Sequence, residues 1–134
     1  MPFVIDASVA AAWLLPDEED PVATTAYDRL LHDHAIVPGL WWLEMRNIFI
    51  SNERRGRLDS EKTRLALALL TELPIQLDHA ADSGTLLELA RRHRLTAYDA
   101  AYLELARRLA LPLASLDHEL CRAATTAGVD LLAA

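Results

Sequence analysis

A three-layer α/β/α sandwich around a mainly parallel sheet is the architecture this sequence predicts, on three observations. Short apolar runs of three or four residues alternate with longer stretches of helical character along the whole chain. Phe3-Val4-Ile5 and Ala35-Ile36-Val37 are apolar throughout rather than at every second residue, the pattern of strands covered on both faces. The chain has 134 residues, room for one domain and one core, residues 1–134. Right-handed crossovers leave few ways to wind such a sheet.

Taken in order, Phe3-Val4-Ile5 is the first strand, followed directly by a helix from about Ser8 to Leu15. A second helix is expected from Val22 to His32, and Ala35-Ile36-Val37 returns as a strand. Trp41 to Arg55 reads as a helix closed by Gly56, with Asp59 or Ser60 capping the next one through Leu73. Ile75-Gln76-Leu77 is a short strand, and helices follow from about Ala80 to His93 and from Ala97 to Leu109. Pro112 to Ser115 is a strand, His118 to Ala127 a helix, and Val129 to Leu132 a final strand. No repeat, low-complexity tract or linker interrupts the series.

Composition narrows the class without choosing the function. The chain is 52% apolar and 25% charged, as in an ordinary globular protein. Cys121 is its single cysteine, which excludes an internal disulfide and a cysteine-based zinc cluster and favours a reducing, cytoplasmic setting. Ala7 to Leu15 is almost wholly apolar, but Asp6 stands where a signal peptide carries its basic region, and no run approaches a membrane span. The net charge of −7 argues against gripping nucleic acid by bulk charge.

Four acids stand where an α/β sheet collects its chemistry, at strand ends and helix starts. Asp6 ends the first strand, and Asp117 lies just past the strand that contains Leu113 to Ser115. Asp99 falls in the first turn of its helix, and Glu44 in an early turn of the helix after Ala35 to Val37. Parallel strands can bring all four to one edge of the sheet. Carboxylates gathered there repel one another and raise their pKa values, and a hard divalent cation relieves that repulsion. Mg²⁺ or Mn²⁺ bound there can activate a water, stabilise the leaving oxygen of a phosphodiester and give an acidic protein local hold on RNA. Each acid also has a purely structural use. Asp6 and Asp117 are natural helix caps, Thr96 to Asp99 matches a capping box, and Glu44 can be a solvated helical acid.

The segments around these acids resemble the PIN-domain family, in particular its VapC toxins. The matching pieces are Val4 to Ser8, Pro38 through Asn47, Leu95 to Tyr102 and Leu113 to Asp117, in the family's order across essentially the whole chain. The resemblance implies a PIN-like fold and an acidic pocket of Asp6, Glu44, Asp99 and Asp117 holding Mg²⁺ or Mn²⁺, with Asp6 and Asp99 as direct ligands. It makes Ser115 a hydroxyl that orients a neighbouring carboxylate or water, Asn47 a supporting polar residue one turn after Glu44, and Ser8 a further supporting position. It also implies RNA cleavage, a homodimer, no membrane, and neutralisation by a small antitoxin whose tail lies in a groove beside the acids.

Other features have simpler explanations. Arg54, Arg55 and Arg57, and Arg91, Arg92 and Arg94, could hold phosphates, but arginines also suit the last turn of a helix. Trp41 and Trp42 point about 100° apart on a helix, so one is expected in the core; an antitoxin or dimer contact is the alternative use of the more exposed one, with Trp13 another candidate, and core packing is the favoured use overall. His32 and His34 lack further zinc ligands, His118 reads as an exposed helix start and Cys121 as a small core residue. Asp17 to Asp20 reads as a solvated loop. Two other functions compete. A receiver-type signalling domain needs a late lysine, whereas Lys62 is the only one; a non-cleaving RNA- or protein-binding PIN scaffold needs no intact set of four acids.

Overall fold

The computed structural model describes residues 1–134. In chain order the elements are β1 (Phe3–Ile5), α1 (Ala7–Leu14), α2 (Pro21–Arg29), β2 (Ala35–Pro38), α3 (Leu40–Arg54) and α4 (Ser60–Glu72). They continue as β3 (Ile75–Asp78), α5 (Ser83–His93), α6 (Ala97–Leu109), β4 (Leu113–Ala114) and α7 (His118–Thr126).

The four strands form one parallel sheet in the order β3-β2-β1-β4. Every residue of β1, β2 and β4 is buried. Successive side chains of a strand point to opposite faces, so both faces of the sheet are covered. One helical group is α6 with α5 and α7 beside it, and α6 lies across β1, β2 and β4. The other is α1 packed on α2 and α3, with α2 reaching β4. The α/β/α sandwich expected from the strand–helix alternation is therefore the one present.

Local chemistry fixes where the helices start. Asp6, Asp20, Asp59, Asp82 and Asp117 each occupy an N-cap and accept a backbone N–H of the first turn. Asp59, rather than Ser60, caps α4. Gly56, at φ 74°, turns the chain out of α3 in the left-handed region. Gly39 precedes α3 under a different constraint, because a Cβ there would sit 2.6 Å from the His79 ring.

Three boundaries depart from those the sequence predicts. Helix α5 begins at Ser83 instead of Ala80, since Asp78 takes the Ala80 N–H and Asp82 becomes the cap. Helix α2 ends at Arg29, and residues 30–32 continue only as turns. The final strand expected from Val129 to Leu132 is not a strand. Gly128 turns the chain at φ 80°, and only an isolated bridge between Leu131 and Leu113 forms, because β4 is itself two residues long. No helix is long and apolar enough to cross a membrane.

Candidate acidic site

The winding of the sheet dictates where a site can form. From β1 the chain steps to β2 and β3 on one side, then returns through α5 and α6 to place β4 on the other side of β1. The winding direction thus reverses between β1 and β4, and the carboxyl ends of these two strands are where an open α/β sheet places its crevice. Asp6 leaves the end of β1, and Asp117 follows β4 by three residues.

Asp6 is 5% exposed and held on both oxygens. Its Oδ1 accepts from Ser8 Oγ at 2.5 Å and from Val9 N at 3.2 Å, and its Oδ2 accepts from Ser115 Oγ at 2.5 Å. The two serines also tie the β4 side down: Leu116 N donates to Ser8 Oγ at 2.9 Å and Asp117 N to Ser115 Oγ at 3.0 Å. Oδ1 thereby uses both its lone pairs, while Oδ2 keeps one free toward the crevice. The half-buried Asp117 turns Oδ1 to Glu119 N and Leu120 N at 2.9 and 3.2 Å, capping α7.

Glu44 approaches from α3 and Asp99 from the first turn of α6. Tyr102, 1% exposed and one turn beyond Asp99, donates from Oη to Glu44 Oε1 at 2.5 Å. Thr96 caps α6 by accepting Asp99 N at 3.1 Å. Asp6, Asp99 and Asp117 are therefore all at helix starts, where a purely structural use would put them, and the same positions bring them to one crevice. Asn47 is exposed beside Glu44 and makes no side-chain hydrogen bond within the chain.

The electrostatics record burial first and the neighbouring charges second. Burial raises the Asp6 carboxyl above its ordinary value; the hydroxyls of Ser115 and Ser8 and the Val9 amide oppose that, and the Asp117 charge adds to it. Burial also raises Glu44, against the Tyr102 hydrogen bond and with the charges of Asp99 and Asp6. Asp99 is raised by burial and by Asp117, against the Thr96 hydroxyl. Tyr102 is pushed far up by burial and then by the Glu44 carboxylate it serves, so its phenol stays protonated. None of the four acids has an Arg, Lys or His within salt-bridge distance. Their negative charge is compensated by dipoles alone.

The donor set is all hard oxygen, the kind Mg²⁺ and Mn²⁺ take. No three His, Cys, Asp or Glu side chains close into a ready-made ligand cage. His32 and His34 join no such group either.

Two residues with a clear part in this arrangement do not stand out in the sequence. Tyr102 lies inside the Leu95–Tyr102 segment, and its position one turn after Asp99 on α6 is the available signal. Cys121, half-buried rather than fully in the core, points its Sγ at Ser115 O at 3.4 Å, one turn into α7. Of the tryptophans, Trp41 is 5% exposed in the core, while Trp42 is 48% exposed with the Arg46 guanidinium 3.6 Å over its ring. Trp13 is tied inward, donating Nε1–H to Ala23 O at 2.7 Å. His118 is exposed.

The chain matches the model of the family described as PIN domain over residues 3–125. It is similar to Ribonuclease VapC3 of Pyrobaculum aerophilum, at 32% identity over 123 residues, which is 90% of this chain and 92% of that protein. Among solved structures, the crystal structure of PAE2754 from Pyrobaculum aerophilum superposes with a TM-score of 0.73 at 22% identity, over 92% of this chain and 84% of that one. A toxin–antitoxin complex from Klebsiella pneumoniae gives a TM-score of 0.58 at 14% identity, over 86% of each chain. At these identities the two structural matches establish the fold alone.

Proposed function

This chain belongs to the PIN-domain family, and from that premise we propose that it is a metal-dependent endoribonuclease, the toxin of a pair neutralised by an antitoxin protein. One observation carries the reading: four carboxylates without a cationic partner converge where the sheet's winding reverses, and three of them are held above their ordinary pKa. A structural cap needs no such crowding. The name of the relative VapC3 supports RNA as the substrate, and the likeness to a Klebsiella toxin–antitoxin complex supports a protein antitoxin.

In this reading Asp6 and Asp99 hold Mg²⁺ or Mn²⁺, with Asp117 and Glu44 completing the acidic pocket. The ion, when bound, supplies an activated water and charge for the leaving oxygen. The chain's own groups prepare the site. Ser8 and Ser115 fix the Asp6 carboxylate so that one lone pair of Oδ2 faces the crevice. Tyr102 holds Glu44 by Oε1 and leaves Oε2 to accept and return a proton, a task suited to a carboxyl of raised pKa.

A groove of ≈ 640 Å³ runs from Glu44 along α3, with Leu43 66% and Tyr98 65% exposed on its walls and Arg46 and Arg54 at its rim. We assign it to the antitoxin, whose apolar side chains would cover these residues and whose acidic ones would meet the arginines. Self-association of the chain is part of the same proposal, and sedimentation of the isolated chain as a monomer overturns that part.

The test is cleavage of a mixed small-RNA pool by the purified chain with Mg²⁺ or Mn²⁺ and with EDTA, beside Asp6→Asn. Asparagine still caps a helix, so the variant is expected to fold while losing roughly 10²–10⁴-fold in rate. Absence of metal-dependent fragments together with absence of Mn²⁺ binding by calorimetry overturns the reading.

A further inference from the structure

A second cavity, ≈ 240 Å³, lies between the C-terminal end of α5 and the body of α7. Arg92, His93 and Arg94 line it from α5, and Arg122 and Thr126 from α7; Ala123 is its one apolar residue. Such a lining offers nothing to an apolar peptide and suits an anion. The macrodipole of α5 explains basic residues in its last turn, but it does not explain Arg122, which reaches the same space from the middle of another helix.

The charges are available. Arg92 pairs with Glu88 at 3.0 Å and Arg122 with Glu119, but both are exposed pairs within one helix that give way readily to a stronger anion. Arg94 has no carboxylate within salt-bridge distance. It occupies the left-handed cap of α5 at φ 55°, a place where glycine is less strained. The cavity shares α7 with one of the acids and lies at the turn that leads to another. Asp117 caps α7 only ~7.5 Å of helix rise before Arg122, and Asp99 follows Arg94 by five residues.

We propose that this cavity binds a backbone phosphate of a single RNA strand whose cleaved bond lies at Asp6, Glu44, Asp99 and Asp117, and so sets the strand's register on the acids. The proposal rests on the nuclease reading and deepens it. It also resolves how a chain of net charge −7 holds a polyanion: the attraction is confined to one basic notch beside an acidic crevice.

The test uses Asp6→Asn as an uncleaving background in EDTA and a fluorescein-labelled, mixed-sequence single-stranded oligoribonucleotide. Affinity is measured by anisotropy over a range of KCl. Adding Arg94→Gln and Arg122→Gln is expected to weaken binding and to flatten the slope of log K against log salt by about 0.7, the value for the one phosphate no longer neutralised. Arg64→Gln, removing an exposed arginine of α4, is expected to leave the slope unchanged. An unchanged slope in the double variant overturns the proposal, as does displacement of the RNA by poly-glutamate at equal charge, which assigns the cavity to acidic protein segments. Cleavage by the intact chain with an arginine-independent slope removes the cavity and leaves the nuclease. Arginine-dependent binding without cleavage by the intact chain does the reverse.

Discussion

Tyr102→Phe removes a single oxygen from a ring that is 1% exposed, so packing is preserved and the loss is confined to the bond from Oη to Glu44 Oε1. A hydrogen bond to a charged acceptor contributes about 1.5–3 kcal/mol, and the half-exposure of Glu44 places this one at the low end, about 1.5 kcal/mol. For a chain of this size that lowers Tm by roughly 5 °C near neutral pH. The bond favours the ionised form of Glu44, whose pKa burial has raised above 4.5; without it the pKa rises further. The loss of stability is therefore full above the folded pKa of Glu44 and shrinks as pH falls through it, where Tyr102 faces a neutral acid. Thermal melts in EDTA at neutral pH and below pH 4.5 measure this, and a Glu44→Gln background should reduce the cost by about 1 kcal/mol. In cleavage assays the acid limb of the pH–rate profile should move to higher pH. An equal loss of Tm at both pH values, unaffected by Glu44→Gln, would show that Tyr102 serves packing and not Glu44.

The three raised acids set the pH dependence of the metal-free chain. Asp6, Glu44 and Asp99 are easier to keep neutral in the fold than in the unfolded chain, so their contribution is present below their unfolded values and lost as pH rises through the folded ones. Asp33 (held down chiefly by the N-terminal ammonium), Asp78 (by Arg108) and Asp82 (by Thr85) act in the opposite sense, losing their contribution as pH falls. Tm in EDTA should peak just above the ordinary carboxylate range and decline toward neutrality, and Mn²⁺ should abolish that decline; a flat profile refutes the crowding. Ser115→Ala, which strips one donor from Asp6 and the acceptor of Asp117 N, should cost about 2 kcal/mol in urea unfolding, while Ser115→Thr should recover much of it. Arg108→Met should cost about 3 kcal/mol. It strands Glu104, 1% exposed, whose remaining partner is Asp82 N at 3.2 Å, and Glu104→Gln in the same chain should restore part of the loss.

The parts of this molecule visible in its sequence are those set by local rules. Continuous apolar triplets mark β1 and β2, aspartates mark most helix starts, and right-handed crossovers leave few ways to order the strands. What escapes is decided by contacts across the fold. Glu104 lies in a run of residues on α6 that are all buried, and Arg108 at 2.9 Å with the Asp82 N–H at 3.2 Å makes an acid tolerable there. Tyr102 has the character of a core residue and is one, but its oxygen has a partner 58 residues away. Val129 to Leu132 has the composition of a strand, and it fails to become one because its neighbour is too short to extend the ladder. The acids themselves carry a double signal, since a helix cap and a charged crevice ask for the same residue at the same place.

The connection from Ser115 to Asp6 spans 109 residues, nearly the whole chain, and joins an interior strand made first to an edge strand made almost last. The Ser8 and Val9 contacts to Asp6 are local and can form early, whereas the Ser115 contact cannot form before β4 docks. A stalled or truncated product, however well its early helices form, carries an incomplete set of acids. Whatever Asp6 does in the fold, its second oxygen is held only once the first and last strands have paired.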